Sequence, residues 1–183
     1  MTQRRLTASE IALARWVFRD SIDYARVNIH ARRYVFFQPD ASGMTPNGHV
    51  YACGDAHRSD YASCDIDRRA FFIHEMAHVW QHQNRVLRVR TSAVRLMIRH
   101  KFRYAHAYRY TLAPDRDLLD YNLEPQATII EDYFRVVLNN SDFARGRDGI
   151  TRIQNPPDER VLLLGNVMRC FLHDPRLTRR EQP

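Results

Sequence analysis

The chain has almost no lysine. Of its 28 basic residues 27 are arginine, and Lys101 is the one exception. So one-sided a usage is better explained by codon composition than by recognition. Cysteine is scarce as well: Cys53, Cys64 and Cys170 are few and odd in number, which argues against a disulfide framework and makes reduced thiols the expectation. Cys53 and Cys64 flank a polar loop and would pair only in an oxidising compartment. They lack CxxC spacing and are not read as zinc ligands. Long apolar runs are missing, since Glu10 and Arg15 interrupt the N-terminal MTQRRLTASEIALARWVF and neither a signal-peptide core nor a membrane span can be drawn there. A protein made in the cytoplasm is expected, with export by a signal-independent secretion system left open. Acidic residues are absent between Glu75 and Asp115, where Arg85, Arg88, Arg90, Arg95, Arg99, Lys101, Arg103 and Arg109 crowd together. That block is a candidate for an anionic partner. Repeats and low-complexity tracts are absent too.

What is present suffices for a folded domain. A chain of 183 residues, 44% apolar and 11% aromatic, can bury a sizeable core and carries too much Leu, Ile, Val and Phe for intrinsic disorder. TASE at 7–10 has the form of a capping box and opens a helix over 8–18. Segments 25–30 (ARVNIH), 33–37 (RYVFF) and 49–53 (HVYAC) carry β-branched and aromatic residues and read as short strands, with a PDASG turn at 39–43. After a polar loop, Asp65 or Asp67 caps a helix running to about Gln83. Segment 86–110 has helical spacing. Asn122 is the N-cap of a further helix that continues to about Leu138, with Pro125 in the first turn, where a missing amide costs nothing. Pro156 and Pro157 open a last helix to about Leu172, with Val161, Leu164, Met168 and Leu172 on one side. The expected class is α+β, with a small, mostly antiparallel N-terminal sheet packed on the helix of residues 65–83 and a second, glutamate-bearing helix beside it.

The chemistry concentrates in FFIHEMAHVWQHQ, residues 71–83. Residues four apart share a helix face, so His74 and His78 can aim two imidazole nitrogens at one zinc ion. Glu75, one position round the helix, can reach a water on the open coordination place and take its proton. The competing reading is two buried, hydrogen-bonded histidines, and a third ligand would separate the two. The elongated H-E-x-x-H-x-x-G-x-x-H pattern is excluded by Gln81 and Asn84. His82 is too far along the helix from His74 and is assigned surface or supporting duty. The better third ligand is Glu124, in the first turn of YNLEPQATIIEDYF, where Ala127 leaves room for a close helix approach. A solvated glutamate favoured by the helix dipole is the alternative, but LEPQATII is too apolar for the surface.

HEMAHVWQ joined to a downstream YNLEPQA resembles the small bacterial zincin-type Vgr-related proteins found among type VI secretion and Rhs genes, and more broadly the gluzincin metallopeptidases. The resemblance spans residues 6–138, including LTASEIALARWVF, SIDYARVNIH and MTPNGHVY. It implies a minimal zincin-like fold, a zinc ion on His74, His78 and Glu124, and Glu75 as general base. Two departures are Pro125 and Thr128; the latter stands where a gluzincin often offers an aspartate to orient a ligand imidazole. Glu131 is the nearby carboxylate left for that task. Residues 1–145 are expected to form the zincin-like metallopeptidase domain, and 146–183 a helical extension packed on it.

The expected function is zinc-dependent hydrolysis of a peptide or amide bond, with a secretion-apparatus partner. The alternative is a secretion-associated adaptor or binding protein with a structural zinc. Tyr121 is a weaker candidate, either an oxyanion donor or a packing residue, and MTPNGHVY could take up an extended peptide. Nucleic-acid binding through RHKFRYAHAYRY lacks any accompanying motif and ranks last.

Overall fold

In the computed structural model the structure describes residues 3–86, 109–139 and 153–176. The Thr7 capping box closes as its residue types demand. The Glu10 amide donates to Thr7 Oγ1 at 3.1 Å, and the Thr7 amide donates back to Glu10 Oε2 at 2.9 Å. Helix α1 (Ala8–Phe18) starts there. The Glu10 carboxylate also accepts from Arg4 through both guanidinium arms, at 2.7 and 2.8 Å, and from the Tyr61 amide at 2.9 Å. One fully buried acid thus joins α1 to strand β1 (Gln3–Arg5) and to the loop before the next helix.

Strands β2 (Asn28–His30), β3 (Gly43–Met44) and β4 (Val50–Ala52) complete a sheet in the order β1-β2-β4-β3. The pairings β1–β2 and β3–β4 are antiparallel, while β2–β4 is parallel with Ile29 opposite Val50. The mostly antiparallel sheet is therefore present, with changes of detail. Residues 33–37 turn instead of forming a strand, and Phe36 is 88% exposed. The two edge strands, β1 and β3, were not expected.

Asp65 is the N-cap of α2 (Ile66–Gln83), its side chain accepting from the Arg68 amide at 2.9 Å. From Phe72 to Ala77 every residue is buried, so the helix runs through the core and not along its surface. Helix α3 (Leu123–Tyr133) begins at Asn122, which occupies the N-cap position without a side-chain cap bond, and passes into a π-helical turn over Phe134–Leu138. Its residues Gln126–Tyr133 are all buried, and its most extensive contact is with α2. Helix α4 (Pro157–His173) packs on α3 and buries Leu163, Leu164, Val167, Met168 and Phe171. Val161 is exposed, so the buried stripe is rotated from the expected one. The helix expected over 86–110 lies outside the described residues, as does most of the arginine block. No described helix is long and apolar enough to cross a membrane. All three cysteines are free thiols.

Candidate metal centre

His74 and His78 point from one face of α2 towards the N-terminus of α3, where Glu124 lies in the first turn. His74 Nε2 is 3.7 Å from Glu124 Oε2, and His78 Nε2 is 3.5 Å from Glu124 Oε1. One ligand atom from each residue lies within 4.8 Å of the others, a grouping able to hold a metal ion. Ligand atoms about 2.0–2.1 Å from a tetrahedral zinc ion are about 3.3 Å from one another. The two separations from Glu124, 3.5 and 3.7 Å, are close to that. His78 Nε2 is buried and has no hydrogen-bond partner, and an unpaired buried imidazole nitrogen costs free energy unless something fills the place. The donor set therefore fits a divalent cation.

The opposite nitrogens are already engaged. His74 Nδ1 meets Glu131 Oε2 at 3.1 Å. Glu131 Oε1 accepts from Arg135 at 3.2 and 3.3 Å, and Arg135 also reaches Asp67 Oδ1 at 2.6 Å. Glu131 thus takes the orienting place for which Thr128 is unsuited, since the Thr128 hydroxyl turns back to donate to the Glu124 carbonyl at 2.9 Å. Burial opposes a charged His74 most strongly, but Glu124 and Glu131 together outweigh it and raise the pKa from 6.5 to about 9. The two carboxylates thus favour the protonated imidazole.

Glu75 is 2% exposed, and its Oε2 accepts from Thr45 Oγ1 at 2.6 Å. Gly43 lies against the same carboxyl: a Cβ there would fall 2.7 Å from Glu75 Cδ and 2.6 Å from Phe71 Cζ. The loop after β3 continues along α2, with Gly48 against the exposed His82. His82 is thus a surface residue two turns beyond Glu75. Tyr121 is directed away from the cluster, its hydroxyl accepting from the Ala113 amide and donating to the Thr111 carbonyl. It packs the loop, and the oxyanion reading gains nothing.

Gly43, Thr45, Gln81 and Arg135 were not singled out from the sequence. Arg135 alone left a trace there, as the basic residue four positions after Glu131. The contacts of Gly43 and Thr45 depend on a strand too short to show in the sequence.

Fold and cluster define an α+β domain built around a His-His-Glu group able to hold a metal ion. No family model matches the chain. Over 133 residues, 72% of its length, it is 41% identical to the type VI secretion system spike protein VgrG2b of Pseudomonas aeruginosa, and the match spans 13% of that protein. The solved structure of the effector domain of Pseudomonas aeruginosa VgrG2b matches with a TM-score of 0.65 at 34% identity, over 82% of this chain and 84% of that one. The chain belongs to the family of VgrG2b effector domains.

Proposed function

We propose that the chain is a zinc-dependent hydrolase of zincin-like type that cleaves a peptide or amide bond and acts as an effector delivered by type VI secretion. The observation that carries the reading is the convergence of His74 Nε2, His78 Nε2 and the Glu124 carboxylate, within 4.8 Å of one another. Beside them, Glu75 is buried and held by Thr45. The family relationship supports the delivery route, the spike protein being named for that secretion system.

His74, His78 and Glu124 would hold the ion, which when bound supplies Lewis acidity towards a substrate carbonyl and a nearby water. Glu131 and Gln81 orient the two imidazoles. Glu75 acts as the base that takes the water's proton and returns it to the leaving amine. Thr45 holds one oxygen of that carboxylate and leaves the other for the proton. His74 and Glu75 are themselves buried, at 6% and 2% exposed, which strengthens the interactions of their charges.

Elemental analysis tests the metal and Glu75→Gln tests the chemistry. One zinc per chain is expected in the unaltered protein and none in His74→Ala. Glu75→Gln should keep the zinc and abolish hydrolysis together with any effect on target cells. Zinc retained with that effect intact would instead favour the adaptor reading, in which the ion only staples α2 to α3.

A further inference from the structure

The two imidazoles of the cluster are held by different kinds of partner. His74 faces an ionised carboxylate. His78 faces a neutral amide: its Nδ1 lies 2.8 Å from Gln81 Oε1. Gln81, one turn further along α2 and 5% exposed, sends its Nε2 to the Leu123 carbonyl at 2.8 Å and to Gln126 Oε1 at 3.0 Å. Gln126, 1% exposed, in turn donates from Nε2 to the Tyr121 carbonyl at 2.7 Å.

We propose that Gln81 is a positioning residue of the metal centre, fixing the proton of His78 on Nδ1 and tying that imidazole to the backbone that carries Glu124. The inference rests on reading His74, His78 and Glu124 as metal ligands. A backbone carbonyl can only accept. Leu123 O therefore fixes Gln81 Nε2 on the α3 side, and the planar amide has only its oxygen left for His78. Gln126 repeats the logic one step back, its own direction set by Tyr121 O. Two carbonyls thus impose one polarity on the whole chain of amides.

An amide oxygen cannot donate, so the neutral His78 ring must donate from Nδ1. Its lone pair is then on Nε2, the atom that faces Glu124 and has no hydrogen-bond partner. The other tautomer would set two lone pairs against each other at the Gln81 contact and place a hydrogen where a cation must sit. Leu123 immediately precedes Glu124, so the same amide also sets the separation between a ligand on α2 and a ligand on α3. Outer partners of this kind typically govern metal affinity by about 10–100-fold.

Long-range proton–nitrogen correlation NMR of the metal-free chain, under conditions where the ring is neutral, reads the His78 tautomer directly. Zinc titration against a competing chelator, on the unaltered protein, Gln81→Leu and Gln126→Leu, reads the affinity. The expected result is a proton on Nδ1 in the unaltered protein. Gln81→Leu should lose that preference and bind zinc about 10–100-fold more weakly. Gln126→Leu should keep the tautomer and lose less affinity, because Leu123 O still anchors Gln81. A proton found on Nε2 in the unaltered chain overturns the proposal, and that reading needs no variant to fold. So does a folded Gln81→Leu that binds zinc as tightly as the unaltered protein. Failure of the metal reading itself would appear separately, as no zinc uptake by the unaltered chain, with the tautomer still decided by NMR.

Discussion

Gly43 has no room for a side chain because the Glu75 carboxyl and the Phe71 ring occupy the space. In Gly43→Ala either the strand or the carboxyl must shift, at a cost of about 1–3 kcal/mol, and the Thr45 hydrogen bond shifts with it. The expected outcome is a lower denaturation midpoint, retained zinc, and loss of hydrolysis as in Glu75→Gln. Loss of zinc instead would mean that β3 supports the ligands and not Glu75. His74 supplies a second test at this scale. Its folded pKa lies above the ordinary imidazole value, at about 9. In the metal-free chain the protonated ring therefore contributes stability that is complete below about pH 6.5 and is lost as pH rises through about 9. Thermal melting of chelator-treated protein should fall across that interval, and His74→Ala should flatten the fall. Zinc uptake at neutral pH should also release a proton, visible by calorimetry in buffers of different ionisation enthalpy.

At the scale of the element, α3 and the π-helical turn after it bring Glu131 and Arg135 together inside the protein, both about 5% exposed. Arg135→Leu leaves the Glu131 carboxylate buried without its guanidinium, and removal of one member of such a pair costs about 3–5 kcal/mol. The urea midpoint should drop accordingly. Zinc affinity should fall too, because Glu131 is then freer to leave His74. Helices α1 and α2 were legible in the sequence because their first turns carry residues whose side chains close local hydrogen bonds, Thr7 with Glu10 and Asp65 with the Arg68 amide, while α3 and α4 were marked by a proline in the first turn. His74, His78 and Glu75 were legible for the same reason, since their relation is fixed by helix periodicity alone. The sheet was less so. RYVFF has the residue types of a strand, but strand preference reflects fitting a half-buried pleated surface, and among the described residues there is no ladder for it to join. Gln3–Arg5 is polar and three residues long, yet it pairs with β2 because Arg4 is tied to the buried Glu10. Gly43 and Met44 sit next to the PDASG turn and pair only because β4 returns beside them. Contacts between distant segments, such as Thr45 with Glu75, leave no local trace.

For the molecule as a whole, α2 carries ligands towards α3 on one side and is clamped by α4 on another. Trp80, two residues beyond His78, is 1% exposed, donates from Nε1 to the Pro175 carbonyl at 2.7 Å, and meets the Phe171 ring edge-on at a centroid distance of 5.0 Å. Phe171 also packs edge-on against Phe18 of α1 at 6.0 Å, so one ring joins three helices. Phe171→Ala removes that joint and leaves a cavity, at about 3–5 kcal/mol. None of its ring contacts reaches the His-His-Glu group, however, and effects at sites with no shared partners add independently. Metal-free and zinc-loaded protein should therefore lose similar stability in Phe171→Ala, with zinc affinity unchanged. Arg135→Leu should separate the two states, because binding to the folded chain adds stability in proportion to the logarithm of affinity. Denaturation of both variants with and without zinc checks this. A Phe171→Ala chain that folds but binds zinc markedly more weakly would show that α4 sets the ligand geometry through α2, and that packing and metal site are one cooperative unit.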